Sequence, residues 1–124
     1  MNAEPRPEGL RCLIVDDSTR FLTSASALLE SQGIEIVGTA TNGEQALELA
    51  ASLRPGVVLV DVVLGDESGI ELADLLIARV PSMVVVLVSS HDREDFGDLI
   101  ERSAAAGFIP KRGLSADTIA ALFG

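Results

Sequence analysis

Two neighbouring acidic residues follow the first apolar run of this 124-residue sequence. The run reads RCLIVDDS, and its acids are Asp16 and Asp17. Burying adjacent carboxylates costs free energy unless a cation or a hydrogen-bond donor compensates them. A second apolar run, VVLVDVV, carries a further acid, Asp61. Acids that recur at the ends of apolar runs therefore predict a shared site that binds a cation.

Later apolar runs end close to a hydroxyl and an amine. Ser89 ends the fourth run, and Lys111 follows the fifth. Parallel strands place their carboxyl ends at one edge of a sheet, so we expect these side chains to meet the acids there. A few carboxylates completed by water suit Mg²⁺ better than they suit Ca²⁺.

This group of side chains suits phosphoryl transfer. A carboxylate can act as a nucleophile and form an aspartyl phosphate, and Asp61, on the central predicted strand, is the natural acceptor. A metal ion, Lys111 and Ser89 would then hold the phosphoryl oxygens. Ser89 could instead cap a turn, as could its neighbour Ser90, and the sequence leaves the choice between them open.

Strand-like and helical patterns alternate along the chain and would position these residues. Residues 11–16, 34–40, 57–61, 83–89 and 108–109 are predicted strands, and amphipathic helices follow each of them. The first helix ends near Gly33, Asn42 and Gln45 begin the second, and Pro81 stops the third. The predicted fold is an α/β domain whose open parallel sheet has helices on both faces. The last two helices are predicted from the apolar positions Phe96, Leu99, Ile100 and Ala104, ended by Gly107, and from Ile119, Leu122 and Phe123, capped by Ser115.

Composition limits the classes of protein to consider. The chain has 19 acidic residues against 9 Lys and Arg, a formal charge of −10, which argues against direct nucleic-acid binding. No apolar stretch approaches the roughly 18 residues of a membrane span. The single cysteine, Cys12, is expected to be a buried packing residue. Residues 1–9 are predicted to be a disordered leader, residues 10–124 a single domain, and the protein cytoplasmic.

The pattern from Arg11 to Phe123 resembles the receiver domain of two-component response regulators. The family's acidic pair matches Asp16 and Asp17, its phospho-acceptor Asp61, its hydroxyl position Ser89 and its lysine Lys111. TNGEQALELA and Gly69 are also similar to the family. The resemblance implies a flavodoxin-like fold of five βα units with strand order 2-1-3-4-5. It also implies Mg²⁺ bound by the three acids and the main-chain carbonyl of Val63.

The resemblance further implies a signalling switch. A sensor histidine kinase or phosphotransfer protein would phosphorylate Asp61, and the face formed by the fourth helix, fifth strand and fifth helix would change its affinity for an output domain, a partner protein or a second copy of the chain. Val63 and His91 lie at the positions that set the lifetime of the phosphoryl group in this family. His91 is otherwise a solvated residue near the start of the fourth predicted helix. Phe21 is either a docking residue for the kinase or a core residue, and Phe108 is either an aromatic switch or a core residue.

Two features depart from the family pattern. Gly65 stands where a proline is usual, which predicts a looser loop after Asp61. Proline precedes the lysine, as Pro110, and Arg112 follows it, so Ile109–Pro110 could be cis or trans. The stretch GFIPKRGLS resembles receivers that precede DNA-binding domains.

Two other functions use the same residues. One is a receiver-like interaction module that does not depend on phosphorylation. The other is a Mg²⁺-dependent phosphohydrolase with Asp61 as nucleophile, but such enzymes need a second acid where this chain has Val63. We therefore expect a regulatory domain rather than a metabolic enzyme.

Overall fold

A computed structural model describes residues 10–123, in which a five-stranded parallel sheet forms the centre of the fold. The strands in spatial order are β2, β1, β3, β6 and β7, which confirms the predicted order 2-1-3-4-5. A separate two-stranded hairpin, β4–β5, follows β3. The strands are β1 (Arg11–Val15), β2 (Glu35–Ala40), β3 (Val57–Asp61), β4 (Val63–Leu64), β5 (Glu67–Ser68), β6 (Val84–Ser89) and β7 (Gly107–Pro110).

Helices cover both faces of this sheet. The α-helices are α1 (Thr19–Ser31), α2 (Gly43–Leu53), α3 (Gly69–Arg79) and α4 (Ala116–Ala120), and 3₁₀-helices occupy Arg93–Phe96, Lys111–Gly113 and Ala121–Phe123. Asn42 caps α2 and Ser115 caps α4 through side-chain oxygens that accept backbone N–H groups, as predicted. Gln45 does not complete the predicted capping box. Its Oε1 accepts a hydrogen bond from the amide of Thr41, whereas a capping box requires the amide of Asn42.

The core consists of two apolar layers, one on each face of the sheet. Successive residues of β1 alternate between them: Leu13 and Val15 pack towards α2 and α3, while Cys12 and Ile14 pack towards α1 and α4. All five residues of β3 are buried, so the last of them, Asp61, reaches the edge of the sheet from within the core. Burial raises the pKa of the Cys12 thiol to about 12, which agrees with its predicted packing role.

The predicted fourth α-helix is wrong. The segment between β6 and β7 contains only the 3₁₀-helix Arg93–Phe96 and a series of turns. Gly97 has φ +60° and ψ −131°, a conformation that ends the helical turn. Ile100 is the one fully buried member of the predicted apolar stripe, and Leu99 is half exposed.

The loop after Asp61 is also different from the prediction. Leu64 pairs with Glu67, so Gly65 and Asp66 form a two-residue hairpin turn. Gly65 has φ +63° whereas Asp66 has an ordinary φ, the combination found in type II′ turns. Glycine at this position therefore produces a tighter loop than expected, and proline could not replace it because its φ is fixed near −65°.

Other predictions concern the chain ends and the lysine region. The Ile109–Pro110 peptide bond is trans. Residues 1–9, predicted as a disordered leader, lie outside the described residues. Within residues 10–123, α1 is the longest helix, with 13 residues, and no helix has the length and apolarity needed to cross a bilayer.

The absence of an α-helix between β6 and β7, within the described chain, predicts rapid amide exchange there. Amides of residues 97–103 rely on isolated turns, and we expect them to exchange at least about 100-fold faster than buried amides of α1. Residue-resolved hydrogen exchange by NMR tests this, with α3 as a second reference. Equal protection in residues 97–103 and in α1 would contradict it.

Candidate functional site

Three carboxylates meet where β1 and β3 end. Asp16 and Asp17 follow β1, and Asp61 is the last residue of β3. One oxygen from each lies within 4.8 Å of the others. Asp16 is fully buried and Asp61 is 7% exposed, whereas Asp17 is exposed to solvent. The predicted convergence of these three acids is thus present in the structure.

Lys111 joins two of these acids. Its Nζ lies 2.6 Å from Asp16 Oδ2 and 3.3 Å from Asp61 Oδ2. Burial alone would lower the pKa of Lys111, but the close ionic contact with Asp16 and the charge of Asp61 raise it above its usual value. The lysine is therefore a permanent cation at this site. It follows β7 directly, so the sheet positions it opposite the acids.

Asp61 carries an unfavourable charge. Burial, followed by the charge of Asp16, raises the pKa of Asp61 to about 6, although Lys111 and the amide of Val63 act in the opposite direction. One lysine thus compensates the two buried carboxylates only in part. A carboxylate in this state gains from any additional cation.

The acid cluster fits a divalent metal ion. Asp16 Oδ1 accepts a hydrogen bond from the Ser18 amide, at 2.8 Å. Asp16 Oδ2 is buried and has no hydrogen bond of good geometry within the described chain; its close polar neighbour is Lys111 Nζ. Oxygen donors from several carboxylates, with space for water on the exposed Asp17 side, are the ligands that Mg²⁺ prefers.

The backbone around Asp61 is held in place by close contacts. The Val63 amide donates to Asp61 Oδ1 at 3.2 Å, and the Gly69 amide donates to the carbonyl of Val62 at 2.8 Å. A Cβ atom on Gly69 would lie 1.8 Å from the carbonyl oxygen of Asp61. Only glycine fits here, which explains in physical terms why Gly69 belongs to the pattern that the sequence suggested.

Ser89 ends β6, next to the strand that carries Asp61. It is 1% exposed, whereas Ser90 is exposed to solvent. Its Oγ accepts a hydrogen bond from the His91 amide, at 3.0 Å, which leaves its own O–H proton free to donate. The His91 side chain is 64% exposed; it lies 4.0 Å from Asp95 and edge-on to Phe96.

Two contacts near Lys111 were not expected from the sequence. The ring of Phe21 covers the ammonium group, with 4.2 Å from Nζ to the ring centroid, a favourable cation–π geometry. Arg112 Nη2 lies 2.8 Å from Asp92 Oδ1 and so links the turn after Lys111 to the loop after Ser89. No sequence spacing signals either contact, because each joins residues 20 or more positions apart.

Phe108 lies in β7, partly buried in the apolar layer that faces α2 and α3. Its ring centroid is 6.2 Å from that of Phe96, in the segment after β6. Phe108 therefore connects β7 to the loop that also carries His91. This contact is compatible with both predicted roles of Phe108, a core residue and an aromatic switch.

Comparisons with known proteins agree with this combination of a doubly wound sheet, an acid cluster and a lysine. The family model for the response regulator receiver domain matches residues 12–123. This chain belongs to the response regulator receiver family of two-component signalling.

Individual relatives are longer proteins than this chain. A protein-glutamate methylesterase/protein-glutamine glutaminase from Alkalilimnicola ehrlichii is 39% identical over 83% of this chain and 27% of its own length. The response regulator GacA from Pseudomonas viridiflava is 32% identical over 91% of this chain and 53% of its own length. The chain thus spans about half or less of these relatives.

The fold has matches among solved structures. The signal receiver domain of NarL from Mycobacterium tuberculosis superposes with a TM-score of 0.80 at 28% identity, covering 95% of this chain and 99% of that one. A match that covers nearly all of both chains agrees with the overall fold described above.

The charge balance at Asp61 predicts a pH-dependent gain in stability from Asp61→Asn. The raised pKa means that the folded wild-type protein loses stability as the pH rises through about 6 in metal-free buffer. An amide avoids this loss, so we expect the variant to be more stable by about 1–3 kcal/mol at pH 8 and nearly equal to wild type at pH 4. Urea unfolding with a chelator present measures the difference.

The control for this experiment is Asp66→Asn, which neutralises an exposed acid of the hairpin turn and should change stability little at either pH. A loss of stability in Asp61→Asn at pH 8 would show that the pairing of Asp61 with Lys111 outweighs its repulsion from Asp16.

Proposed function

We propose that this chain is a phosphorylation-dependent switch whose acceptor is Asp61. The observation that carries the proposal is the position of Lys111 Nζ between Asp16 and Asp61, at the open edge of an acid cluster. A permanent cation beside a nucleophilic carboxylate is suited to stabilising a phosphoryl group. The proposed place of action is the cytoplasm.

In the proposed reaction, a carboxylate oxygen of Asp61 attacks the phosphorus of a phosphohistidine on a sensor kinase or phosphotransfer protein. A P–O bond forms, the P–N bond breaks, and its electron pair returns to the imidazole nitrogen. Asp16, Asp17, Asp61 and the main-chain carbonyl of Val63 would hold Mg²⁺, which would neutralise charge on the phosphoryl oxygens. Asp17, being exposed, is suited to direct contact, and Asp16 to direct or water-mediated contact.

Lys111 and Ser89 then bind the phosphoryl group. Lys111 already lies within 3.3 Å of Asp61 Oδ2, so it reaches the new oxygens with little movement. The Ser89 O–H proton is free to donate while its Oγ still accepts from the His91 amide. A shift of Ser89 towards the phosphoryl group would therefore pull on the loop that follows β6.

This loop leads to the proposed output face, which comprises residues 91–110 and α4. Asp92 is bound to Arg112 and Phe96 packs near Phe108, so movement of the loop reaches β7. Addition of nearly two negative charges at Asp61 would change the affinity of this face for a partner protein, an output domain or a second copy of the chain. Phe21, partly exposed beside Lys111, would contact the phosphodonor protein.

The alternatives have less support. A phosphohydrolase of the haloacid type needs a second acid two residues after its nucleophile, where Val63 lies here, half exposed. A module independent of phosphorylation would not need the arrangement of Lys111, Asp16 and Asp61. We propose that the chemistry of this chain is limited to its own phosphorylation and dephosphorylation.

Phosphorylation can be tested with acetyl phosphate and Mg²⁺, followed by intact mass measurement. The wild-type protein should gain the mass of one phosphoryl group, because Asp61 is the nucleophile beside Lys111. Asp61→Asn should gain nothing, and the matched control Asp66→Asn should behave as wild type. An adduct in both wild type and Asp61→Asn, or in neither, would overturn the proposal.

His91 is proposed to influence the lifetime of the aspartyl phosphate. Its amide is tied to Ser89 and its exposed ring lies on the solvent side, so His91→Ala should change the access of water to the phosphoryl group. We expect the dephosphorylation rate to change by about threefold to tenfold, which is less than the 10²–10⁴-fold of a positioned general acid or base because the ring acts only on the access of water. The decay of the phosphorylated mass measures it, with Ser90→Ala as control. An unchanged decay in His91→Ala would remove this role.

A further inference from the structure

The main-chain position proposed as a metal ligand lies in the β4–β5 hairpin. Val63 pairs with Ser68 and Leu64 with Glu67, and the Gly69 amide donates to the Val62 carbonyl at 2.8 Å. Hydrogen-bonded and non-hydrogen-bonded pairs alternate in antiparallel strands, so Val63 occupies a non-hydrogen-bonded position. Its N–H and C=O groups therefore point away from β5.

The hydrogen bond of the Val63 amide shows in which direction the backbone groups of Val63 point. That N–H group donates to Asp61 Oδ1 at 3.2 Å. In an extended strand the N–H and C=O of one residue face the same side, so the register of the hairpin directs the Val63 carbonyl towards the acid cluster. A shift of the hairpin by one residue would turn this carbonyl away.

Two side chains attach the hairpin to the rest of the domain: Leu64 is buried in the apolar core, and Glu67 reaches the start of α2. Glu67 Oε1 accepts a hydrogen bond from the Gly43 amide, at 3.0 Å, across 24 residues of sequence. Gly43 is the buried first residue of α2, where backbone amides lack partners within the helix and a carboxylate is favourable. A Cβ at residue 43 would lie 2.5 Å from Glu67 Oε1, so glycine makes this close approach possible.

We propose that Glu67 is a positioning residue for the metal site: by binding the amino end of α2, it holds the β4–β5 hairpin in the register that presents the Val63 carbonyl to Asp16, Asp17 and Asp61. Glu67 acts through the backbone and does not contact the ion. This inference rests on the proposed function, because it assumes that Mg²⁺ binds at the acid cluster.

The test compares Glu67→Ala, Glu67→Gln and Asp66→Asn. Glutamine keeps the Oε1 acceptor without the charge, alanine removes both, and Asp66→Asn removes one charge from the same hairpin turn. Calorimetric titration with Mg²⁺ alone, at about 0.15 M salt to screen remote charges, measures affinity. Hydrogen exchange of the Gly43 amide in metal-free protein reports on the contact itself.

We expect Glu67→Ala to bind Mg²⁺ about 10-fold more weakly and to exchange the Gly43 amide faster. Glu67→Gln and Asp66→Asn should remain within about 2-fold of wild type in Mg²⁺ affinity. Wild-type affinity in Glu67→Ala would overturn the inference and leave the proposed function intact, as would an equal loss in Glu67→Gln and Glu67→Ala, which would indicate an effect of charge. Failure of the wild-type protein to bind Mg²⁺ would overturn both.

Discussion

The ion pairs of Lys111 with Asp16 and Asp61 are the interaction on which the rest of the site depends. Two carboxylates buried at a sheet edge repel each other, and one ammonium group at 2.6 and 3.3 Å offsets only part of that repulsion. The raised pKa of Asp61 is the physical sign of the remainder. The repulsion between these carboxylates therefore destabilises the metal-free site. A divalent cation would offset this repulsion, and a bound phosphoryl group would then change the charge balance again.

The fold tolerates the repulsion between Asp16 and Asp61 because the apolar core stabilises the three strands that contribute the charged groups. β1 and β3 are buried at the centre of the sheet, and β7 brings Lys111 to the same edge. Gly69 permits a backbone approach that no larger residue would, and the β4–β5 hairpin lies between Asp61 and Gly69. Rigid support thus surrounds Asp61 on the side of β3 and α3, whereas residues 90–95, after Ser89, are exposed and form no α-helix.

That asymmetry suits a switch. Ser89 is buried and bound to the amide of His91, and the segment that follows contains isolated turns instead of an α-helix. Local opening of such a segment costs less free energy than opening a packed helix, so a charge added at Asp61 can change its population of conformers. The contacts of Arg112 with Asp92 and of Phe96 with Phe108 give this segment a connection to β7.

The sequence by itself determined the sheet, its strand order through the family resemblance, and the candidate residues Asp16, Asp17, Asp61, Ser89 and Lys111, because apolar runs and the polar residues that end them are local signals. It failed for the fourth helix, since the apolar spacing of Phe96, Leu99 and Ile100 is helical but Gly97 adopts a conformation outside the helix. Only the tertiary structure decided the hairpin after Asp61, the attachment of Glu67 to Gly43 and the position of Phe21 over Lys111. Each of these joins groups through space, and their energies depend on distances that no local pattern of residues encodes.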